Sequence, residues 1–107
     1  MKSAYDSCIQ HCLTCHQSCF QHAMTHCLES GGPHVAPTHF RTMMNCADLC
    51  LTAARFMMSA SPHATSLCQV CADMCSECAE CCEAIGDMSA CVEACRRCAE
   101  SCRQMVA

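Results

Sequence analysis

Cys8, Cys12, Cys15 and Cys19 are spaced by 4, 3 and 4 residues, Cys91, Cys95, Cys98 and Cys102 likewise, and Cys68, Cys71, Cys75, Cys78 and Cys82 by 3, 4, 3 and 4. An alternation of three and four is the period of one face of an α-helix. The thiols therefore take the stripe that aliphatic side chains normally fill in a helical bundle. A core of sulfur packs less well than one of leucine, but it offers many soft ligands. Soft thiolates select Cu(I), zinc or iron–sulfur clusters.

Charge decides among these ions. A free thiol is mostly protonated at neutral pH, so an empty sulfur core is nearly neutral and loading exchanges protons for metal. One monovalent ion per thiolate keeps the interior near neutrality. One divalent ion per thiolate leaves an uncompensated charge in a low-dielectric interior, and four thiolates per Zn²⁺ leave two negative charges. The balance favours Cu(I). Cysteines one helical turn apart are also expected to flank an ion linearly, across about 4.6 Å if each bond is ~2.3 Å. With each sulfur bridging two ions, capacity approaches one Cu(I) per cysteine, on the order of 15–20 per chain.

Other soft groups extend the stripes. His22 and His26 continue the first stripe beyond Cys19, with Cys27 on its flank. His39, Met43, Cys46, Cys50, Ala53 and Met57 form a stripe of their own, and Cys81 lies about a quarter turn from the axis of its helix's stripe. All 17 cysteines are candidate ligands, Cys27 and Cys81 at the periphery. His22, His26 and Met43, with His39 nearby, read either as the lining of an entrance that passes metal inward or as padding of the bundle end. Met57 reads as a core filler. His11, His16, His34 and His63 lie off the stripes or in loops and are expected at the surface.

The elements that must position these side chains are delimited by helix breakers. Gly31-Gly32-Pro33, with Pro37 following, ends a first helix over residues 3–29. Thr38 is placed to cap a second helix running to Met58–Ala60. Ser61-Pro62 reads as an N-cap followed by proline at the first helical position of a third. Gly86 stops that helix, and Asp87 is expected to cap a fourth that nearly reaches the C-terminus. No stretch carries strand periodicity. Long helices and short loops predict an all-α, up-down-up-down antiparallel four-helix bundle with a cysteine-lined core, a single domain over residues 1–107. Ile9, Leu13, Phe20, Leu49, Phe56, Val70 and Val92 supply apolar flanks, so the bundle is expected to be helical without metal. The repeated stripe suggests a duplicated helical hairpin. In the antiparallel arrangement His22, His26, His39, Met43, Cys81, Cys82, Met88 and Cys91 gather at one end. Tyr5, Phe56, Met57, Met58, Leu67 and Met105 close the other.

Composition excludes other classes. The net charge is −4, the Lys and Arg residues form no basic run, and only Tyr5, Phe20, Phe40 and Phe56 are aromatic. Nucleic-acid binding is disfavoured on electrostatics and stacking alike. No apolar run approaches the ~18 residues of a membrane span, and the first residues carry neither a twin arginine nor an apolar signal region. The expected compartment is the reducing cytosol. Neighbours along a stripe, with Cβ atoms ~5–6 Å apart, stand too far apart for a disulfide, and an odd cysteine count leaves one thiol over. No nucleophile–base set stands apart from the candidate ligands, so no enzyme is expected.

The stripes Cys8–Cys19, Cys46 with Cys50, Cys68–Cys82 and Cys91–Cys102 resemble, over essentially the whole chain, those of the bacterial copper storage proteins. The resemblance implies a four-helix bundle whose cysteines take up many Cu(I) ions, cytosolic storage and detoxification, and a homotetramer; the expected partners are copper ions, with a copper chaperone as one route of delivery. The alternatives are an iron–sulfur electron carrier, a zinc–thiolate store and a disulfide-stabilised structural protein. The run Cys68-x-x-Cys71-x-x-x-Cys75-x-x-Cys78 superficially resembles a ferredoxin motif. It steps with helical period, however, and lacks the closing Cys-Pro.

Overall fold

Small residues, more than large apolar ones, set how these helices meet. The computed structural model describes residues 4–106, so the expected helix start at residue 3 lies outside the described residues. The elements are α1 (Asp6–His22), a π-helical segment (Ala23–Cys27), the short α2 (Leu28–Ser30), a 3₁₀ turn (Gly32–Val35), α3 (Pro37–Met58), α4 (Ala64–Ile85) and α5 (Ser89–Val106). The first rod of the bundle comprises α1, the π segment and α2. It packs on α3, α3 on α4 and α4 on α5, and α5 returns to α1. The result is the expected antiparallel four-helix ring, 44 × 21 × 19 Å overall. Among the described residues there is no strand, and no helix is long and apolar enough to cross a membrane.

The core is cysteine and alanine. Every cysteine except the half-buried Cys81 is buried, with Ala23, Ala47, Ala53, Ala54, Ala64, Ala72, Ala79 and Ala99 between them. Alanine carries the highest helix propensity, and its small side chain lets facing sulfurs approach across the bundle. Of the expected apolar flanks, Ile9 is buried and Leu13, Leu49, Phe56 and Val92 are half-buried, but Phe20 and Val70 are exposed. Once sulfur occupies the inward row, these two rings and branches have no interior left to enter. Outer faces are charged as expected: Arg97 donates to Glu93 at 2.8 Å one turn away, and Arg96 reaches Glu83 at 3.2 Å.

The helix ends differ from the sequence expectation. The first helix does not run to its end as an α-helix. In α geometry Cys27 would lie about 80° off the Cys19 axis. The π segment, whose ladder runs i→i+5, absorbs the extra residue and turns Cys27 into the core, where it is 0% exposed. The Thr25 hydroxyl donates to the Gln21 carbonyl at 2.8 Å, giving that carbonyl a donor where the ladder changes step.

Thr38 is not the cap of α3. The helix begins at Pro37, whose fixed φ and missing N–H suit the first position, and Ala36 precedes it with no side-chain cap. Ser61 and Pro62 form a turn before α4 rather than its first residues. The Ser61 hydroxyl accepts from His63 N–H at 3.1 Å, and the helix starts at Ala64. Asp87 does not cap α5; it sits at φ +58 in the turn after Gly86 (φ +85), two residues before Ser89.

Candidate metal centre

Each helix delivers a row of sulfurs to the bundle axis, and the rows interlock. Around Cys15 of α1 lie Cys19 at 3.9 Å, Cys46 of α3 at 4.0 Å, Cys75 of α4 at 3.9 Å and Cys95 of α5 at 3.7 Å. Cys50 lies 3.7 Å from Cys71, 3.5 Å from Cys75 and 3.9 Å from Cys98. Cys15–Cys75 and Cys50–Cys98 span the two diagonals of the ring, so the sulfurs fill the axis and do not merely coat four walls.

Among the described residues, the thiols group as Cys8, Cys68 and Cys102; Cys12, Cys71, Cys98 and Cys102; Cys15, Cys50, Cys75 and Cys98; and Cys15, Cys19, Cys46 and Cys95. Consecutive groups share a sulfur, Cys102, then Cys98, then Cys15. Beyond them Cys78 stands 4.0 Å from both Cys19 and Cys82. A sulfur common to two groups is placed to bridge two ions.

These separations bear on the expected linear geometry. The nearest sulfur pairs stand 3.5–4.0 Å apart, both along a helix, as in Cys71–Cys75 at 3.9 Å, and across helices, as in Cys19–Cys95 at 3.5 Å. With metal–sulfur bonds near ~2.3 Å, linear coordination needs about 4.6 Å, trigonal about 4.0 Å and tetrahedral about 3.8 Å. Pairs this close suit ions held by three or four sulfurs, and other sulfurs of the same groups, all within 4.8 Å of one another, leave room for linear pairs as well. Tertiary packing of four helices sets this spacing, and the repeat along one helix could not reveal it. All thiols are free.

Burial and mutual hydrogen bonding set the proton inventory. Burial pushes Cys91 up to about 12, Cys68 up to about 12, and Cys27 upward as well. Thiol donors act oppositely: Cys15 holds both Cys19 and Cys95 down at about 6. Half-buried Cys81 is held well below the ordinary thiol range by hydrogen bonds from Cys78 and Cys82, with His39 adding to the effect.

One end of the column changes character. His39 is buried, with Nδ1 3.2 Å from Cys81 Sγ, and its buried Nε2 has no hydrogen-bond partner. His39, Cys81 and Cys82 form a mixed nitrogen–sulfur group. Met43 is buried beside Cys27 at 3.7 Å, and buried Met88 lies 4.0 Å from the same thiol.

His22 and His26 do not lie on the stripe axis; both are half-buried at the rim. His22 Nδ1 pairs with the Ser18 carbonyl at 2.8 Å, and His26 Nε2 is 3.5 Å from Asp87 Oδ2. The unwinding that carries Cys27 inward carries His26 outward. His34 is not a surface residue as expected. It is half-buried, its ring edge-on to His26 at 4.9 Å and its Nδ1 4.0 Å from Cys27 Sγ. No spacing argument could find it, because a 3₁₀ turn and not a helix face delivers it. His16, also expected at the surface, is half-buried, with Nδ1 2.9 Å from the Ala47 carbonyl.

The opposite end lacks this convergence. Met57 is buried with Sδ 3.7 Å from Cys68 Sγ, and Tyr5, Phe56, Leu67 and Met105 are half-buried against the core. Met58 is exposed and closes nothing, because it falls on the outer face in the last turn of α3.

A family profile described as "Csp: Copper storage protein" matches residues 1–107. The crystal structure of Nmul_A1745 from Nitrosospira multiformis superposes with a TM-score of 0.91 at 48% identity, over 92% of this chain and 91% of that one. The structure of Cu(I)-bound copper storage protein BsCsp3, from Bacillus subtilis, superposes with a TM-score of 0.90 at 35% identity, over 98% and 100% of the two chains. A cysteine-rich protein, YhjQ of Bacillus subtilis, is 38% identical over 73 residues, 68% of this chain and 67% of that protein.

Proposed function

The chain belongs to the copper storage protein family, and on that premise we propose that it sequesters many Cu(I) ions along its bundle axis, on the order of one per cysteine, or 15–20 per chain. The observation that carries this reading is the sharing of sulfurs between successive groups, Cys102, Cys98 and Cys15. Isolated sites would keep their ligands separate, whereas shared sulfurs support a continuous copper–thiolate network. Charge supports the same ion, because one Cu(I) per thiolate leaves the buried column near neutral. The Cu(I) state of BsCsp3 supports it by kinship.

In this reading all 17 cysteines are ligands, Cys8 through Cys102, with Cys27 and Cys81 nearest the rim and Met43 beside them. Residues 1–107 act as one storage domain. The role is cytosolic sequestration without catalysis, by a homo-oligomer, a tetramer by kinship, that receives copper from a chaperone.

Anaerobic titration of the reduced chain with Cu(I), against a chromophoric competitor, tests the proposal. Saturation near one ion per thiol in a colourless product is the expected result. A plateau at four or five ions rejects a filled core. A brown product with visible charge-transfer bands assigns the sulfurs to iron–sulfur clusters instead.

A further inference from the structure

The sulfur group at the apolar end of the column, Cys8, Cys68 and Cys102, has three thiols where the next groups along the axis have four. Among those, Cys15, Cys50, Cys75 and Cys98 come one from each rod. Residues seven apart share a helix face. Seven residues from Cys15 on α1 stands Cys8, and seven from Cys75 on α4 stands Cys68. Seven from Cys50 on α3 stands not a cysteine but Met57, and α5 supplies Cys102. Met57 is 2% exposed, and its Sδ lies 3.7 Å from Cys68 Sγ, the same separation that Cys8 keeps from Cys102. With bonds of ~2.3 Å, two sulfurs this far apart subtend about 107° at a shared ion, close to the tetrahedral angle.

We infer that Met57 is the fourth ligand of a terminal Cu(I) site formed with Cys8, Cys68 and Cys102, and that its thioether closes the column at this end. The inference rests on the copper storage reading and adds to it a donor other than cysteine. On binding, each of the three cysteines exchanges its thiol proton, which leaves to solvent, for a Cu–S bond. The thioether donates a lone pair and loses nothing.

Charge explains why a thioether and not a thiolate stands here. Cys102 belongs to this group and to the next, so its charge is shared between two ions. Past Met57 there is no further group to share with, and a fourth thiolate would bring a buried negative charge without a counterpart. A thioether is soft, as Cu(I) requires, and neutral, so it ends the series without adding that charge. Met57 also stands in the wall of a cleft of about 550 Å³ beside Tyr5, Asp6 and Ile9, and neither thiol nor imidazole lines that cleft. The same side chain therefore holds the last ion and separates it from solvent.

Methyl NMR on the reduced full chain, labelled with ¹³C at the methionine methyls, tests the site, with Met57→Leu assigning the signal. During titration with Cu(I) the Met57 methyl should shift, while the exposed Met58 methyl stays in place. Leucine conserves the volume of methionine, so the metal-free Met57→Leu chain should melt within about 5 °C of the parent. In competitive titration that variant should bind one Cu(I) per chain about tenfold more weakly, equivalent to ~1.4 kcal/mol, with the other ions unchanged. A Met57 methyl that stays fixed through saturation overturns the site and leaves storage standing. A variant whose metal-free melting temperature falls while every copper affinity matches the parent makes Met57 a packing residue and also overturns the site. A chain that saturates at a few ions while the Met57 methyl shifts overturns storage and leaves the site standing.

Discussion

Cys15 and Cys91 are both buried thiols on the bundle axis, yet their surroundings give them different weight. Cys15 meets sulfurs from all four rods, whereas Cys91 pairs with the hydroxyl and carbonyl oxygens of Ser18 at 3.6 and 3.5 Å. If sulfurs bridge ions, Cys15→Ser should remove about two Cu(I) from the store and Cys91→Ser at most about one. Equal losses by competitive titration would mean that every thiol holds its own ion. The pH response follows from burial. Cys68 and Cys91 are raised from the ordinary 9.0 to about 12, so the native state keeps protons that the unfolded chain has already lost. Their contribution to stability is complete below about pH 9 and is lost as pH rises toward 12. The urea midpoint of the reduced, metal-free chain should fall over that interval, and the copper-loaded chain, already deprotonated at sulfur, should hold its midpoint. A metal-free midpoint that climbs with pH would contradict the assignment. Inward cysteines were legible from spacing alone because the stripe and the helix share a period. The approach of His34 to Cys27 was not legible, because a turn places it and no periodicity describes a turn.

The π segment lets an off-period cysteine join the stripe. Cys19, Ala23 and Cys27 step 4 and 4, one residue more than two turns of the 4, 3 pattern. Deleting Thr25 restores 4 and 3, so the variant should form a regular α-helix that still turns its last cysteine inward. Its melting temperature should stay within about 5 °C of the parent, the shift expected for ~1 kcal/mol in a domain of this size. A variant that fails to fold by circular dichroism would show that the segment is required for the bundle and does not merely accommodate one inserted residue. The four rods were legible in the sequence, since Gly31, Gly86 and the prolines punctuate them. Their termini were not: Thr38, Ser61 and Asp87 all have cap chemistry, but Pro37, the Ser61–His63 turn and the positive φ of Asp87 settled the boundaries. A sequence supplies candidates for a cap, and competition between neighbouring turns selects one.

At the scale of the molecule, helix contacts made by cysteine and alanine hold the ring together before any metal arrives. The reduced, metal-free chain should therefore show a helical circular dichroism spectrum and melt cooperatively. Copper should raise the melting temperature progressively, because it binds the native state preferentially. A metal-free chain with a coil spectrum would place it among modules that fold only around their ions. The sulfur column is one ion's neighbourhood wide and long in one direction, within a body of 44 × 21 × 19 Å. Its soft-donor rim lies at one extremity, and apolar side chains crowd the other. A store of this shape keeps a history, with ions that arrive last standing nearest the door and leaving first. Loading half the capacity with ⁶³Cu, then the remainder with ⁶⁵Cu, and withdrawing a few equivalents with a chelator should release the heavier isotope first. The deep end, around Cys8, Cys68 and Cys102, then becomes a slow reserve whose copper outlasts many cycles of filling and emptying at the rim.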